Sequence, residues 1–239
     1  MKRALQSLVV TLIIFIPLNA FAVTFTGSAV GTWNNADSTD NGDFLVVSGN
    51  DVGGEAYFNW GTCGGSNCNN QFMFDGTGSD GLPLWSTSDE TPFVIGDFSY
   101  RNGSVQNANG NVTVDLAVAL SISTPLALNQ NFNFSFHIVN TPNNHQDPED
   151  NADHVVVNSV FSNTLFNYLG VNYTLQLLGF SSDNGATIRT DFTSLEGQTA
   201  LAKVYGKITS DVSGVPEPTG VALLAAGLLG LTAARRRRA

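Results

Sequence analysis

From Asn111 to Ile122 the chain alternates with a period of two. Val112, Val114, Leu116, Val118, Leu120 and Ile122 share one face, while Asn111, Thr113, Asp115 and Ser121 lie on the other. A period of two is the mark of a strand with one buried face, since a helix would need apolar residues every three to four positions. The pattern recurs. Residues 23–33 alternate Val23, Phe25, Gly27, Ala29, Gly31 and Trp33 with Thr24, Thr26, Ser28 and Thr32. Asn131 to Ile138 turns Phe132, Phe134, Phe136 and Ile138 inward, and Val171 to Leu177 groups Val171, Tyr173, Leu175 and Leu177. Glu196 to Thr209 groups Ala200, Ala202, Val204 and Ile208.

Shorter strands are predicted at Phe44–Val47, Ala56–Trp60, Gln71–Phe74, Phe93–Tyr100, Val155–Phe161 and Ile188–Phe192. About eleven strands separated by Gly, Asn, Asp and Pro turns, with no amphipathic helix among them, predict an all-β fold. The expected architecture is an antiparallel β-sandwich or jelly roll. No internal repeat or linker interrupts residues 23–210, so they are read as one domain.

Charge narrows the function. The chain carries 10 Lys and Arg against 20 Asp and Glu. Between residues 23 and 214 the cations are only Arg101, Arg189, Lys203 and Lys207. So acidic a body repels phosphate, and nucleic acid is not an expected partner.

The cations missing from the body sit at the two ends. Residues 1–22 open with Lys2 and Arg3, continue through an apolar run from Leu8 to Ile16, and close on Ala20-Phe21-Ala22. This is the order of a secretory signal peptide cut after Ala22. The alternative is an uncleaved membrane anchor. At the other end, Asp211 to Pro216 forms a spacer. Val215-Pro216-Glu217-Pro218 is followed by an apolar run from Thr219 to Ala234 and then by Arg235, Arg236, Arg237 and Arg238. A helix over that run spans about 24 Å at ~1.5 Å per residue. That is short for a hydrocarbon core of roughly 30 Å, so the arginines must snorkel or the bilayer must thin. The arginines should stay cytoplasmic, which puts the body outside the inner membrane.

Pro-Glu-Pro, an apolar helix and an Arg cluster over residues 215–238 resemble the PEP-CTERM sorting signal. The resemblance implies export by a Gram-negative bacterium that makes extracellular polysaccharide. It also implies recognition by exosortase, a membrane protease or transpeptidase. The protein would then pass through a single C-terminal transmembrane helix (219–239 with its Arg cluster) before release to the cell surface or the polysaccharide matrix. An ordinary tail anchor is the competing reading.

Three local features bear on chemistry. Cys63 and Cys68 enclose four residues, and two cysteines in an exported chain are expected to form a disulfide. Gly76-Thr77-Gly78-Ser79-Asp80-Gly81 matches G-x-G-x-x-G, but Leu82-Pro83-Leu84-Trp85 cannot continue as the helix a dinucleotide site needs. It is read as a turn. Asp147, Glu149, Asp150 and Asp153 place four carboxylates within seven residues, a candidate oxygen-ligand set for Ca²⁺. The spacing is not that of an EF-hand, and a solvated loop is the alternative. His145 and His154 flank it without the spacing of a zinc site.

No nucleophile motif of the G-x-S-x-G or H-E-x-x-H type is present. A glycosidase pair cannot be judged from carboxylate spacing in sequence. Trp33, Trp60 and Trp85 are candidates for a sugar-stacking platform. Trp33 is expected in the core, and Trp85, placed in a loop, is the one expected to be exposed.

Phe93 to Asn102 (FVIGDFSYRN) is similar to the lG-x-F-T-H-x-N stretch of the THxN and choice-of-anchor K families. Leu178-Gly179-Phe180 and Phe192 to Glu196 resemble their closing segments. Those are exported β-proteins with interchangeable anchors. Ser99-Tyr100 replaces Thr-His, and Asn102 is kept, so a role resting on that His is absent. The resemblance implies fold and export, and carries no activity. The expectation is therefore an exported, non-enzymatic surface or matrix protein. The rivals are a carbohydrate-binding module and a polysaccharide hydrolase.

Overall fold

The computed structural model describes residues 23–41, 43–48, 55–64, 68–78, 82–106, 108, 110–141, 145–158 and 164–210. These fall within the unit Ala22–Val212. The signal peptide, Val215 to Pro218, the apolar run after them and Arg235 to Arg238 lie outside the described residues.

The alternating stretches are strands, and two antiparallel sheets pack face to face in a sandwich-like, all-β fold. The first sheet has six strands. In spatial order they are β12 (Asp191–Ser194), β9 (Asp153–Val157), β8 (Leu128–Val139), β7 (Val112–Thr124), β1 (Thr24–Ser38) and β5 (Trp85–Ser88). The second has seven: β10 (Phe166–Tyr168), β11 (Val171–Ser181), β13 (Thr199–Ser210), β6 (Pro92–Arg101), β4 (Asn70–Gly76), β3 (Ala56–Trp60) and β2 (Leu45–Ser48).

The inward faces are as the alternation predicts. Val112 through Ile122 and Phe132 through Ile138 are buried at every second position. Aromatic rings fill the space between the sheets. Trp33 of the first sheet lies 5.5 Å from Phe72 of the second, and Phe136 lies 5.8 Å from Phe180. Gly31 leaves room for this packing, because a Cβ there would fall 2.2 Å from the Phe74 ring.

β5 and β10 are two strands the alternation did not reveal. Trp85, expected in an exposed loop, begins β5, where it pairs with Gly27, and it is 3% exposed. β5 is four residues long and β10 three, too short for a period to show. The segment expected at Ile188–Phe192 starts later, at Asp191, because Arg189 instead bridges to Phe180. Gly76 ends β4, and Thr77-Gly78 turns, with Gly78 at φ 82°, so no helix follows it there. Ser79 to Gly81 lie outside the described residues.

The Ser88–Thr91 turn, bonded to Val23 beside β1 and to Ile208 of β13, and the Tyr100–Asp153 bond between the sheets define two ends of the body. At one, the proximal end, lie Val23, the Ser88–Thr91 turn and Ser210. At the other, the distal end, lie Ser38, Arg101, Asp153 and Thr199. β6 has ten residues and joins the two, a span of about 30 Å at ~3.3 Å per residue.

Candidate functional site

β6 is the strand that carries most of the Phe93–Asn102 motif, and two polar sites are built on it. On the outer face of the seven-stranded sheet, a register shift occurs between Val204 and Tyr205 of β13. It leaves Ile95 without a partner on that side. Ile95 and the following Gly96 are both buried, while Asp97 stands on the outer face with Val94. A bulge of this kind reverses the strict alternation of a strand. Asp97 pairs with Lys203, its neighbour across the ladder, at 2.7 Å, with both side chains about two-fifths exposed.

That ion pair stands between two clefts. One, of about 350 Å³, is lined by Thr77, Leu84, Trp85, Phe93 and Tyr205 together with Asp97 and Lys203. The other, of about 330 Å³, is lined by Met73, Leu201, Ser182 and Asn184 with the same pair. The rim of the second is an ordered turn. Asp183 Oδ1 accepts from the Ser181 hydroxyl at 2.6 Å and the Thr187 N–H at 2.9 Å, and these bonds hold its carboxyl below the ordinary range. Leu84 and Leu201, 62% and 68% exposed, give the two clefts apolar patches. The carboxylate that lines both is Asp97, and it is already engaged by a cation.

At the distal end, β6 closes on a buried polar cluster. The Tyr100 hydroxyl donates to Asp153 Oδ2 at 2.7 Å, and the Thr141 N–H donates to Asp153 Oδ1 at 2.8 Å. Tyr100 is fully buried and Asp153 3% exposed. Burial raises Asp153 above the ordinary carboxyl range, opposed by the bonds from Thr141 and Tyr100. Burial also pushes Tyr100 well up, with the charge of Asp153 adding to it. Tyr100 belongs to the seven-stranded sheet and Asp153 to the six-stranded one, so the bond is a tie between sheets.

Asn102 extends the tie. Its side-chain amide donates to the Ser194 carbonyl at 3.0 Å, its backbone N–H to Gln198 O, and its carbonyl accepts from Gly197 N–H. The Ser104 hydroxyl donates to Glu196 Oε1 at 2.7 Å. Two of the three stretches that carry the family resemblance, Phe93 to Asn102 and Phe192 to Glu196, thus meet. Tyr100, Asn102, Asp153 and Ser194 are buried, and the Ser104–Glu196 bond lies at the exposed edge of the cluster. The cluster holds the connection that crosses from β12 of one sheet to β13 of the other.

The Ca²⁺ candidates do not converge. Asp147 accepts from the Glu149 N–H at 3.1 Å and caps an exposed 3-10 turn, Pro148–Asn151. Asn151 closes the loop on the backbone of His145. Glu149 and Asp150 are exposed on that turn, but Asp153 points into the body toward Tyr100. Among the described residues no three His, Cys, Asp or Glu side chains are grouped closely enough to hold a metal ion. The physical reason is the strand start at Asp153, which turns its side chain away from the loop.

Trp33, Trp60 and Trp85 are all buried, at 3%, 0% and 3% exposure, and offer no stacking platform. Trp33 donates to the Ala56 carbonyl at 3.2 Å.

Cys63 and Cys68 form the expected disulfide, with Cα atoms 5.9 Å apart. The segment just after it is locked down. Arg101 donates to Asn69 through Nε and Nη2, and Asn69 donates to Asn59 Oδ1 at 2.6 Å. A Cβ on Gly103 would fall 2.0 Å from the Cys68 carbonyl oxygen.

Sequence reasoning missed Lys203, Tyr205 and Leu84 as cleft residues. The scarcity of cations in the body was a usable signal for Lys203. Among models of known protein families none matches this chain, and no curated protein matches it either.

Proposed function

We propose that this is an exported, non-enzymatic β-sandwich protein of the cell surface or extracellular polysaccharide matrix. Exosortase sorts it through a transient C-terminal membrane helix. The observation that carries the reading is the fixed order Val215-Pro216-Glu217-Pro218, apolar run, Arg235 to Arg238 at one end of a chain whose other end reads as a signal peptide. The disulfide supports it, since such bonds persist in oxidising compartments outside the cytoplasm. So does the build of the body, whose distal end is tied by Asp153 and Asn102 in a manner suited to a rigid displayed module.

Pro216 and Pro218 keep the segment before the helix extended and free of ladder hydrogen bonds, in a form a protease can reach. Glu217→Ala with Pro218→Ala should leave the body folded and exported but retained in the membrane fraction with its tail. Membrane fractionation in an exosortase-positive host tests this, and release equal to wild type would count against it.

A second reading, glycan binding, is favoured by the outer-face clefts on either side of Asp97 and Lys203. An ion pair beside apolar patches can bond sugar hydroxyls and cover a ring face. Lys203→Ala should then weaken retention of the protein on exopolysaccharide from the producing strain, read by co-sedimentation. Equal retention would remove the clefts from the account.

A further inference from the structure

The Ser88–Thr91 turn binds both the start of β1 and the end of β13. The Asp89 N–H donates to the Val23 carbonyl at 3.1 Å, continuing the register that pairs Thr24 with Ser88. The Glu90 N–H donates to the Ile208 carbonyl at 3.0 Å, and Glu90 accepts from the Ser210 N–H at 3.2 Å and pairs with Lys207 at 2.8 Å. Within this turn the Asp89 carboxylate is anomalous. Its Oδ1 is buried and has no hydrogen-bond partner among the described residues. A carboxylate oxygen withdrawn from water and left unbonded is costly, so such an atom marks a place for a donor.

We propose that this site is completed by processing: the α-ammonium released at Val23 when residues 1–22 are removed pairs with the Asp89 carboxylate. The inference rests on cleavage after Ala22. In that step water adds across the Ala22–Val23 amide. The carboxylate leaves with Ala22, and the amine, protonated at neutral pH, stays on Val23. The Asp89 N–H bonds the Val23 carbonyl one step beyond the Thr24–Ser88 pair, so the new cation appears on the residue that faces Asp89. Lys207 does not fill the role, because Glu90 holds it.

The other groups facing Asp89 fit an unfilled cation site. Burial raises the Asp89 carboxyl, the Ser210 hydroxyl and the Glu90 backbone N–H bond it and lower it, the Glu90 charge raises it, and Lys207 lowers it. Tyr173, across the sandwich, is itself raised by burial and by the Asp89 charge. An ammonium placed beside a carboxylate favours the charged form of both partners. The precursor, with an amide at this position, has no such charge to offer.

The test uses the exported, processed protein. Intact mass and N-terminal sequencing first establish the terminus. The α-amine is then acetylated with limiting anhydride near pH 7.5, and the rate is read by peptide mass mapping. A free peptide with the same N-terminal sequence is the reference. Pairing that raises the amine pKa by about one slows acetylation at this pH about sevenfold, and Asp89→Asn should recover most of that rate. A terminus at Val23 whose amine reacts as fast as the peptide overturns the pairing while leaving the cleavage reading intact. A terminus elsewhere overturns both, and the mass distinguishes the two failures. Should Asp89→Asn not fold, as judged by circular dichroism, one alanine inserted before Val23 replaces it. That residue moves the ammonium about 3.4 Å along the strand. The extended protein should react like the peptide, and slow reaction of both forms overturns the proposal.

Discussion

At the scale of single residues, the fate of the carboxylates separates those that shape the fold from those that solvate it. Asp153 is the buried carboxylate among the described residues, and its folded value is raised by burial against the bonds from Thr141 and Tyr100. The unfolded reference is about 3.9. Because the folded value lies above the unfolded one, the folded protein binds the extra proton in the window between them. Stability is therefore fully supported below the unfolded value and declines as pH rises through the raised folded value. Asp153→Asn should flatten that decline. Tyr100→Phe should extend the decline to higher pH and cost about 1–3 kcal/mol, since it leaves a buried Asp153 oxygen without its donor. Urea unfolding from pH 4 to 8 checks both, and parallel curves for all three proteins would contradict the assignment.

Residue-level reading of the sequence found Asp153 but grouped it with Asp147, Glu149 and Asp150, because proximity in the chain says nothing about which way a side chain turns. Asp97 was illegible for a different reason. Strict alternation from Phe93 puts Asp97 on the same face as Ile95, and only the bulge opposite Val204 and Tyr205 sends it outward.

At the scale of elements, length governed what could be read. β7 and β8, with thirteen and twelve residues, carry enough alternation to announce both strand and buried face. β5 and β10 exist because a neighbour offers them a ladder, β1 in one case and β11 in the other, and that offer is a tertiary fact. The disulfide was legible because two cysteines leave one pairing. Its loop is short, so the chain-entropy model assigns it only about 2 kcal/mol. Replacing Cys63 and Cys68 with Ser should lower the unfolding free energy by about that amount and leave the core spectrum unchanged, because Arg101, Asn59 and Asn70 still hold the adjoining segment. Thermal and urea melts of the double variant measure this. Failure to fold would mean the bond carries far more than loop entropy.

At the scale of the whole molecule, charge and topology point the same way. Val23 and Ser210 lie at the proximal end, bound by one turn, so the chain enters and leaves the body at one place. The disulfide, the acidic 3-10 turn and the Glu196 turn occupy the distal end, about the length of β6 away. A body attached through its proximal end would present that acidic distal end outward, which suits a protein displayed from a membrane and later released. The central claim is that the C-terminal segment is a processing signal rather than a permanent anchor. C-terminal mass analysis of the protein from an exosortase-positive host, compared with a host lacking the enzyme, tests it most directly. The account expects loss of Arg235 to Arg238 in the first host and their retention in the second. Retention of all four arginines in both hosts would contradict it.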